Sequence, residues 1–354
     1  MSEMIRTINE RIRAADPGSM EKAAQHWLSV GKPLFSLGAL EEAVIRMAGM
    51  KRTADFKLDK KALVIMCADN GVVAEGVTQT GPEVTAIVAG NFIKGQSSVC
   101  LMSQVAGARV FPVDIGMLSD VPDLTESRQK VAYGTKNFAM EPAMTPEQVQ
   151  KAIEVGMDMV YRLSEQGYDI IATGEMGIGN TTTSSAVASV LLGEPAEVMT
   201  GKGAGLAEDG LKRKVRVIEK AIEKYRPDAN DVIDVLAKVG GLDLAGLTGV
   251  FLGGAVYGIP VVIDGFISSA AALCAMRICA DARDYMLPSH VSDEPGGHIL
   301  LKALDFKPFL TCGMFLGEGS GAVACLPLFD MALKVYREMG TFEEIKVEPY
   351  ELLK

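Results

Sequence analysis

Asp169-Ile170-Ile171-Ala172-Thr173-Gly174-Glu175-Met176-Gly177-Ile178-Gly179-Asn180-Thr181-Thr182-Thr183 sets an apolar strand directly against a glycine-rich turn and the start of a helix. The strand pattern covers Asp169 to Thr173, and the helical pattern continues to Leu192. Glycines let the backbone turn toward a ligand. Unpaired amides at the helix start, with threonine hydroxyls beside them, suit an anion such as a phosphate. The same residues also satisfy a plain glycine turn closed by a threonine cap, and spacing does not separate the two readings. The turn lacks the Gly-Lys-Ser/Thr of a P-loop, and its glycines are not spaced as in a dinucleotide fingerprint.

Working outward, strand patterns recur at Ala62 to Ala68, Arg109 to Val113, Pro260 to Ile263 and Phe309 to Phe315. Most end in a polar or glycine loop, such as Asp69-Asn70-Gly71, Asp114-Ile115-Gly116, Asp264-Gly265 or Gly317-Glu318-Gly319. Alternation of strand, loop and helix is an α/β rhythm, and in a parallel sheet these loops gather at the carboxyl edge, where ligands bind. Pro146 to Gln166 and Glu208 to Tyr225 are charged and read as solvent-facing crossover helices; Glu194 to Gly205 reads as a long functional loop. The amino-terminal region reads as helices over Glu3 to Arg13, Ser19 to Leu28 and Leu40 to Met47. The expected layout is a large α/β domain over 51–334 and a smaller helical domain from 1–50 and 335–354.

Composition narrows the class. With 35 Lys+Arg against 45 Asp+Glu the chain carries a formal charge of -10, which argues against a general nucleic-acid binder. Its six cysteines are scattered, lack C-x-x-C spacing and mostly sit in apolar runs, so they read as buried reduced thiols. Only His26, His290 and His298 could supply imidazole to a metal, and neither a metal nor a cofactor is expected. His298 reads as a surface or core histidine. The amino terminus is polar without a hydrophobic signal region, and the long apolar stretch Val250 to Ala280 is broken by glycines, Pro260 and Asp264. It reads as helix, strand and helix, and the expected location is the cytoplasm, away from membranes.

Other segments carry chemistry. Gly201-Lys202-Gly203-Ala204-Gly205 precedes Lys212-Arg213-Lys214 on a helix, so lysines could meet a phosphate or form a solvated cluster. Leu316-Gly317-Glu318-Gly319-Ser320-Gly321-Ala322 sets a carboxylate among glycines. Partial burial would raise its pKa toward the range of a general base, while a helix-start carboxylate stabilising the dipole is the plainer reading. Asp69 either serves a site or caps a turn, and Ser292 or Asp293 could cap the helix that follows.

In identity and order, these segments resemble the nicotinate-nucleotide:dimethylbenzimidazole phosphoribosyltransferase family. The resemblance spans nearly the whole chain and is carried by Ala68-Asp69-Asn70-Gly71-Val72, Glu83-Val84-Thr85, Val113-Asp114-Ile115-Gly116, Gly174 to Thr182, Val239-Gly240-Gly241, Ile263-Asp264-Gly265-Phe266, Ser289-His290 and Gly317 to Gly321. It implies a Rossmann-like α/β core and a homodimer whose partner lies near each site. It also implies transfer of phosphoribose from nicotinate mononucleotide to a small aromatic acceptor, in the assembly of the cobamide nucleotide loop. By that likeness Glu318 takes the general-base position, and Glu175, Gly177 and Lys214 fall at nucleotide-binding positions. Met176, Gly179, Asn180, Thr181, Ser292 and Gly317 complete the expected nucleotide contacts, and Thr80 and Val88 the acceptor pocket.

One departure bears on the acceptor. The family often has a Ser and a Gln flanking the Val-Thr segment, where this chain has Thr80 and Val88. Valine cannot hydrogen-bond where glutamine could. Benzimidazole, purine-like and phenolic acceptors therefore stay open, the phenolic ones belonging to a heterodimeric branch of the family. A non-catalytic paralogue that completes a partner's site is the remaining alternative.

Overall fold

The computed structural model describes residues 3–124, 129–203 and 205–350. Its strands are β1 (Lys61–Ala68), β2 (Ala108–Gly116), β3 (Ile170–Met176), β4 (Val261–Val262), β5 (Met286–Leu287), β6 (His290–Ser292) and β7 (Leu310–Met314). The first five form one parallel sheet in the order β2-β1-β3-β4-β5. β1 and β3 are buried almost throughout because helices cover both faces, which is why they read as unbroken apolar runs.

The segment expected as the last strand of that sheet belongs elsewhere. β7 pairs in parallel only with β6, in a separate two-stranded sheet beside the carboxyl edge. β6 lies in what the sequence suggested was a loop, so Ser292 is a strand residue and not a helix cap; the helix Gly297–Ala303 starts from Gly296. The Glu194 to Gly205 loop holds a short helix, Ala196–Met199. Ala204, within the glycine-lysine segment, lies outside the described residues, as do 351–354 of the expected carboxyl-terminal helical region.

Local chemistry explains the long helices. Thr145 and Gln148 close a reciprocal capping box at the start of Pro146–Glu165, whose next-door partner is the buried helix Leu242–Tyr257. These two helices approach through glycine. A Cβ at Gly156 would sit 2.0 Å from the Gly246 carbonyl oxygen, and one at Gly249 2.0 Å from that of Ile153. Glu208–Tyr225 is amphipathic as expected, yet its buried stripe includes Lys214 beside Val217 and Ile218.

The two chain ends meet in a helical region. Val30 bridges Thr341 in antiparallel fashion, and Gly31 donates its amide to the Gly340 carbonyl at 2.9 Å. The ring of Tyr336, near the end of helix Ser320–Glu338, packs edge-on against Trp27 (5.1 Å) and His26 (4.4 Å). No helix among the described residues is long and apolar enough to cross a membrane. All six cysteines are free, four of them buried; Cys312 is exposed in the middle of β7, as are its neighbours Thr311 and Gly313.

Candidate active site

A cavity of about 570 Å³ opens at the carboxyl ends of β3 and β4, roofed by the residues around β7. Three segments singled out in the sequence meet on its wall: Glu175 to Thr181, Asp264 to Ile267, and Gly313 to Glu318. Ser292, from β6, is on the same wall. A larger cavity of about 880 Å³ lies between the amino-terminal helices and residues 283–309, and His298, exposed, borders it. It contains none of those segments, so the chemistry is read from the smaller one.

Glu175 stands at the end of β3 and is 6% exposed. Asn180, first residue of helix Asn180–Leu192, donates from Nδ2 to its Oε2, and the Glu318 amide donates to its Oε1 at 3.4 Å. Burial, then the nearby carboxylates of Asp243 and Asp264, push its pKa up to about 8, against those two hydrogen bonds. Asp243 stands behind Asn180 in the first turn of Leu242–Tyr257, and burial raises it to about 6. The two acids are thus linked through the Asn180 amide and share a site that disfavours full ionisation.

Glu318 follows β7 in a tight loop. Gly317, Glu318 and Gly319 all have positive φ, at 81°, 59° and 93°. The left-handed region costs a residue with a Cβ about 1 kcal/mol, so this carboxylate is held against a local backbone preference. Its Oε2 is shielded from solvent and has no hydrogen-bond partner among the described residues. Burial and then the charge of Asp264 raise the Glu318 pKa, with the Val99 backbone pulling the other way. The glycine neighbours are needed for contact as well as conformation: a Cβ at Gly317 would lie 2.5 Å from Glu175 Oε1.

Near Thr181 a buried ammonium lies behind the cavity wall, opposed by the Glu294 carboxylate that lines it. Lys214 is 1% exposed, and its Nζ donates to Thr181 Oγ1 at 2.7 Å and to the Gly201 carbonyl at 3.1 Å. Burial lowers its pKa to about 8, while Glu294 opposes that shift. Thr181 lies in the first turn of Asn180–Leu192, so an ammonium and a helix amino terminus converge there. The Lys212-Arg213-Lys214 run therefore splits: Lys214 faces inward, while Lys212 stays exposed.

The expected residues do not all reach the wall. Glu318, Glu175, Met176, Gly177, Asn180, Thr181, Ser292 and Gly317 line it. Gly179 supplies the turn behind it at φ 92°, and Lys214 acts through Thr181 rather than from the surface. Thr80 is exposed outside the cavity. Val88 is half-buried in helix Glu83–Ile93 and packs against the core as an apolar side chain should. Asp69 accepts the Leu118 amide at 2.7 Å and serves the loop after β2. Asp243 and the full part played by Asp264 were missed; the signals were an acid just after Val239-Gly240-Gly241 and an acid at a strand end.

Comparison with known proteins places this geometry in context. A family profile described as phosphoribosyltransferase matches residues 12–347. The chain is 48% identical over 323 residues to the nicotinate-nucleotide–dimethylbenzimidazole phosphoribosyltransferase of Acetivibrio thermocellus, covering 91% of this chain and 92% of that one. It is 48% identical over 335 residues to the Ruminiclostridium cellulolyticum protein of that name, covering 95% of each. Among solved structures it is similar to CobT from Thermus thermophilus, with a TM-score of 0.90 and 36% identity over 94% of this chain and 100% of that one.

Proposed function

Because the chain belongs to the nicotinate-nucleotide–dimethylbenzimidazole phosphoribosyltransferase family, we propose that it moves phosphoribose from nicotinate mononucleotide onto an aromatic base, with Glu318 as general base. The observation that carries this reading is the polarity of the cavity. A partly buried carboxylate with one unpartnered oxygen stands at one end, and at the other stands Thr181, backed by the buried Lys214 ammonium at a helix amino terminus. A nucleotide is oriented by that field, its phosphate toward Thr181 and Lys214 and its sugar between Glu175 and Glu318.

Nicotinate bonded through its ring nitrogen is a cationic leaving group, so the bond to the anomeric carbon breaks with the electron pair going to that nitrogen. Positive charge builds on the ribose as it departs. A benzimidazole nitrogen lone pair attacks the opposite face, inverting a β-linkage to α, and Glu318 takes the proton from the other ring nitrogen. Glu175 contacts the sugar from the cavity floor. Products are an α-ribazole-type phosphate, nicotinate and a proton on the base. In this reading the product serves the cobamide nucleotide loop, and the active form is a homodimer.

The acceptor is open to a second reading. Val88 stands where the family often has glutamine and packs against the core instead of lining the cavity, so no glutamine-type hydrogen bond selects the acceptor and a phenol stays open. That branch of the reading has the chain paired with a paralogue. Incubating the purified chain with nicotinate mononucleotide and equal dimethylbenzimidazole, adenine and p-cresol, then separating products by mass, decides between them. Nicotinate release only when an acceptor is present supports transfer by this chain alone; no release with any acceptor refutes that first reading.

A further inference from the structure

The loop that carries Glu318 has a bond of its own, from the Ser320 amide to the Gly317 carbonyl at 3.0 Å, and is further held from outside. Helix Ser320–Glu338 starts from Gly319, which has no side chain to cap it. Asp264 does so from the end of β4. Its Oδ2 accepts the Gly319 amide at 3.2 Å, and its Oδ1 accepts those of Gly321 at 2.8 Å and Ala322 at 3.0 Å. Asp264 is itself fixed: its amide donates to Ser268 Oγ at 3.1 Å and to Thr173 Oγ1 at 3.3 Å, and it is 3% exposed. One residue thus joins β3, through its backbone amide, to the loop after β7, through its carboxylate, at the point where three successive residues adopt positive φ.

From this arrangement we propose that Asp264 is the positioning residue of the general base: it clamps the Gly317–Gly319 turn so that Glu318 faces the cavity, and it sets a second negative charge beside that carboxylate. This rests on the reading of Glu318 as the base. A carboxylate at a helix start cancels the partial positive charge that would otherwise stabilise an ionised neighbour. The titratable groups that line the cavity with Glu318 are Asp264 from the β4 loop, Glu175 from β3, His290 from β6 and Glu294, and the Val99 backbone of helix Ser98–Ala106 bonds its carboxylate. Of these, Asp264 contributes the electrostatic push that raises the Glu318 pKa after burial has acted. Filling that helix end with a carboxylate has a second effect, since it leaves the Lys214 end as the place where a phosphate is welcome.

Two substitutions separate clamp from charge. Asp264→Asn removes the charge and keeps the Gly321 and Ala322 bonds through its one oxygen, while its amide nitrogen cannot accept from Gly319; kcat should fall about 10- to 100-fold, KM for nicotinate mononucleotide should stay within threefold, and the loss of charge is read from the acid limb of the kcat profile, which should move to lower pH. Asp264→Glu keeps the charge and displaces the clamp, so kcat should fall with the acid limb in place. A limb that does not move in Asp264→Asn, or full kcat in Asp264→Glu, overturns the proposal. Should neither variant fold, Ser268→Ala decides: it loosens Asp264 without altering charge, and a several-fold lower kcat supports the clamp whereas unchanged kcat refutes it. Failure of the underlying reading is distinguishable, because the unmodified chain would then transfer no phosphoribose.

Discussion

The amide of Glu318 donates to the carboxylate of Glu175 across 3.4 Å, so an acid at the end of β3 and the backbone of the loop after β7 hold each other in place. Residues 143 positions apart in the chain thereby form one unit at the carboxyl edge.

Glu175 makes stability depend on pH. Its pKa in the folded protein is about 8, against an ordinary 4.5. A raised folded value means the folded state holds the proton more tightly, so this group's contribution is fully present below about pH 4.5 and is lost as pH rises toward 8. Glu175→Gln should therefore stabilise the protein relative to the parent, by a margin that grows across that window and levels off on the order of 4 kcal/mol. Urea unfolding at several pH values checks this; a margin that does not grow with pH contradicts it.

Gly317→Ala should injure the site more than the fold. The new methyl would meet Glu175 Oε1 at 2.5 Å, at a position whose φ is 81°. Strain of about 1 kcal/mol or more should pull the Glu318 loop outward. We expect kcat to drop at least tenfold with the far-ultraviolet circular dichroism spectrum unchanged. Full activity would show that the loop tolerates displacement.

Lys214→Met should weaken nicotinate mononucleotide binding. Lys214 reaches the phosphate end through Thr181, so its loss removes a buried positive charge and the partner of that hydroxyl, and KM should rise roughly 10-fold with a smaller change in kcat. Because burial places the lysine pKa at about 8, the parent's affinity should fall as pH passes that value, and the variant should lose this alkaline limb. Binding isotherms at pH 7 and 9 test both statements. Equal affinities for parent and variant would remove the phosphate from this end.

Much of this was legible in the chain. Apolar runs closed by Asp, Glu or Gly marked β1 to β4 of the parallel sheet, because a strand covered on both faces admits few polar residues, whereas the two-residue β5 is too short to give a pattern. The glycine turn at 174–179 suggests a backbone approach to a ligand or a plain turn, and the close approaches in the structure are to protein backbone, Gly174 to Glu318 and Gly177 to Ala68. What stayed hidden depends on distance in sequence. Pairing of β7 with β6 instead of the main sheet follows from packing, since both segments are short and neither pattern states its neighbour. Asp264 looked like a loop acid because its three amide partners lie more than fifty residues away. Lys214 sat in a run of like charges, and only the helix face it occupies distinguishes it from Lys212.

The most direct measurement is the single-turnover rate of phosphoribosyl transfer to dimethylbenzimidazole by Glu318→Gln, at saturating nicotinate mononucleotide. If Glu318 removes the acceptor proton, the rate should fall by about 10²- to 10⁴-fold while nicotinate mononucleotide binds as before. A rate within a few-fold of the parent would mean that another group takes the proton, or that none needs to.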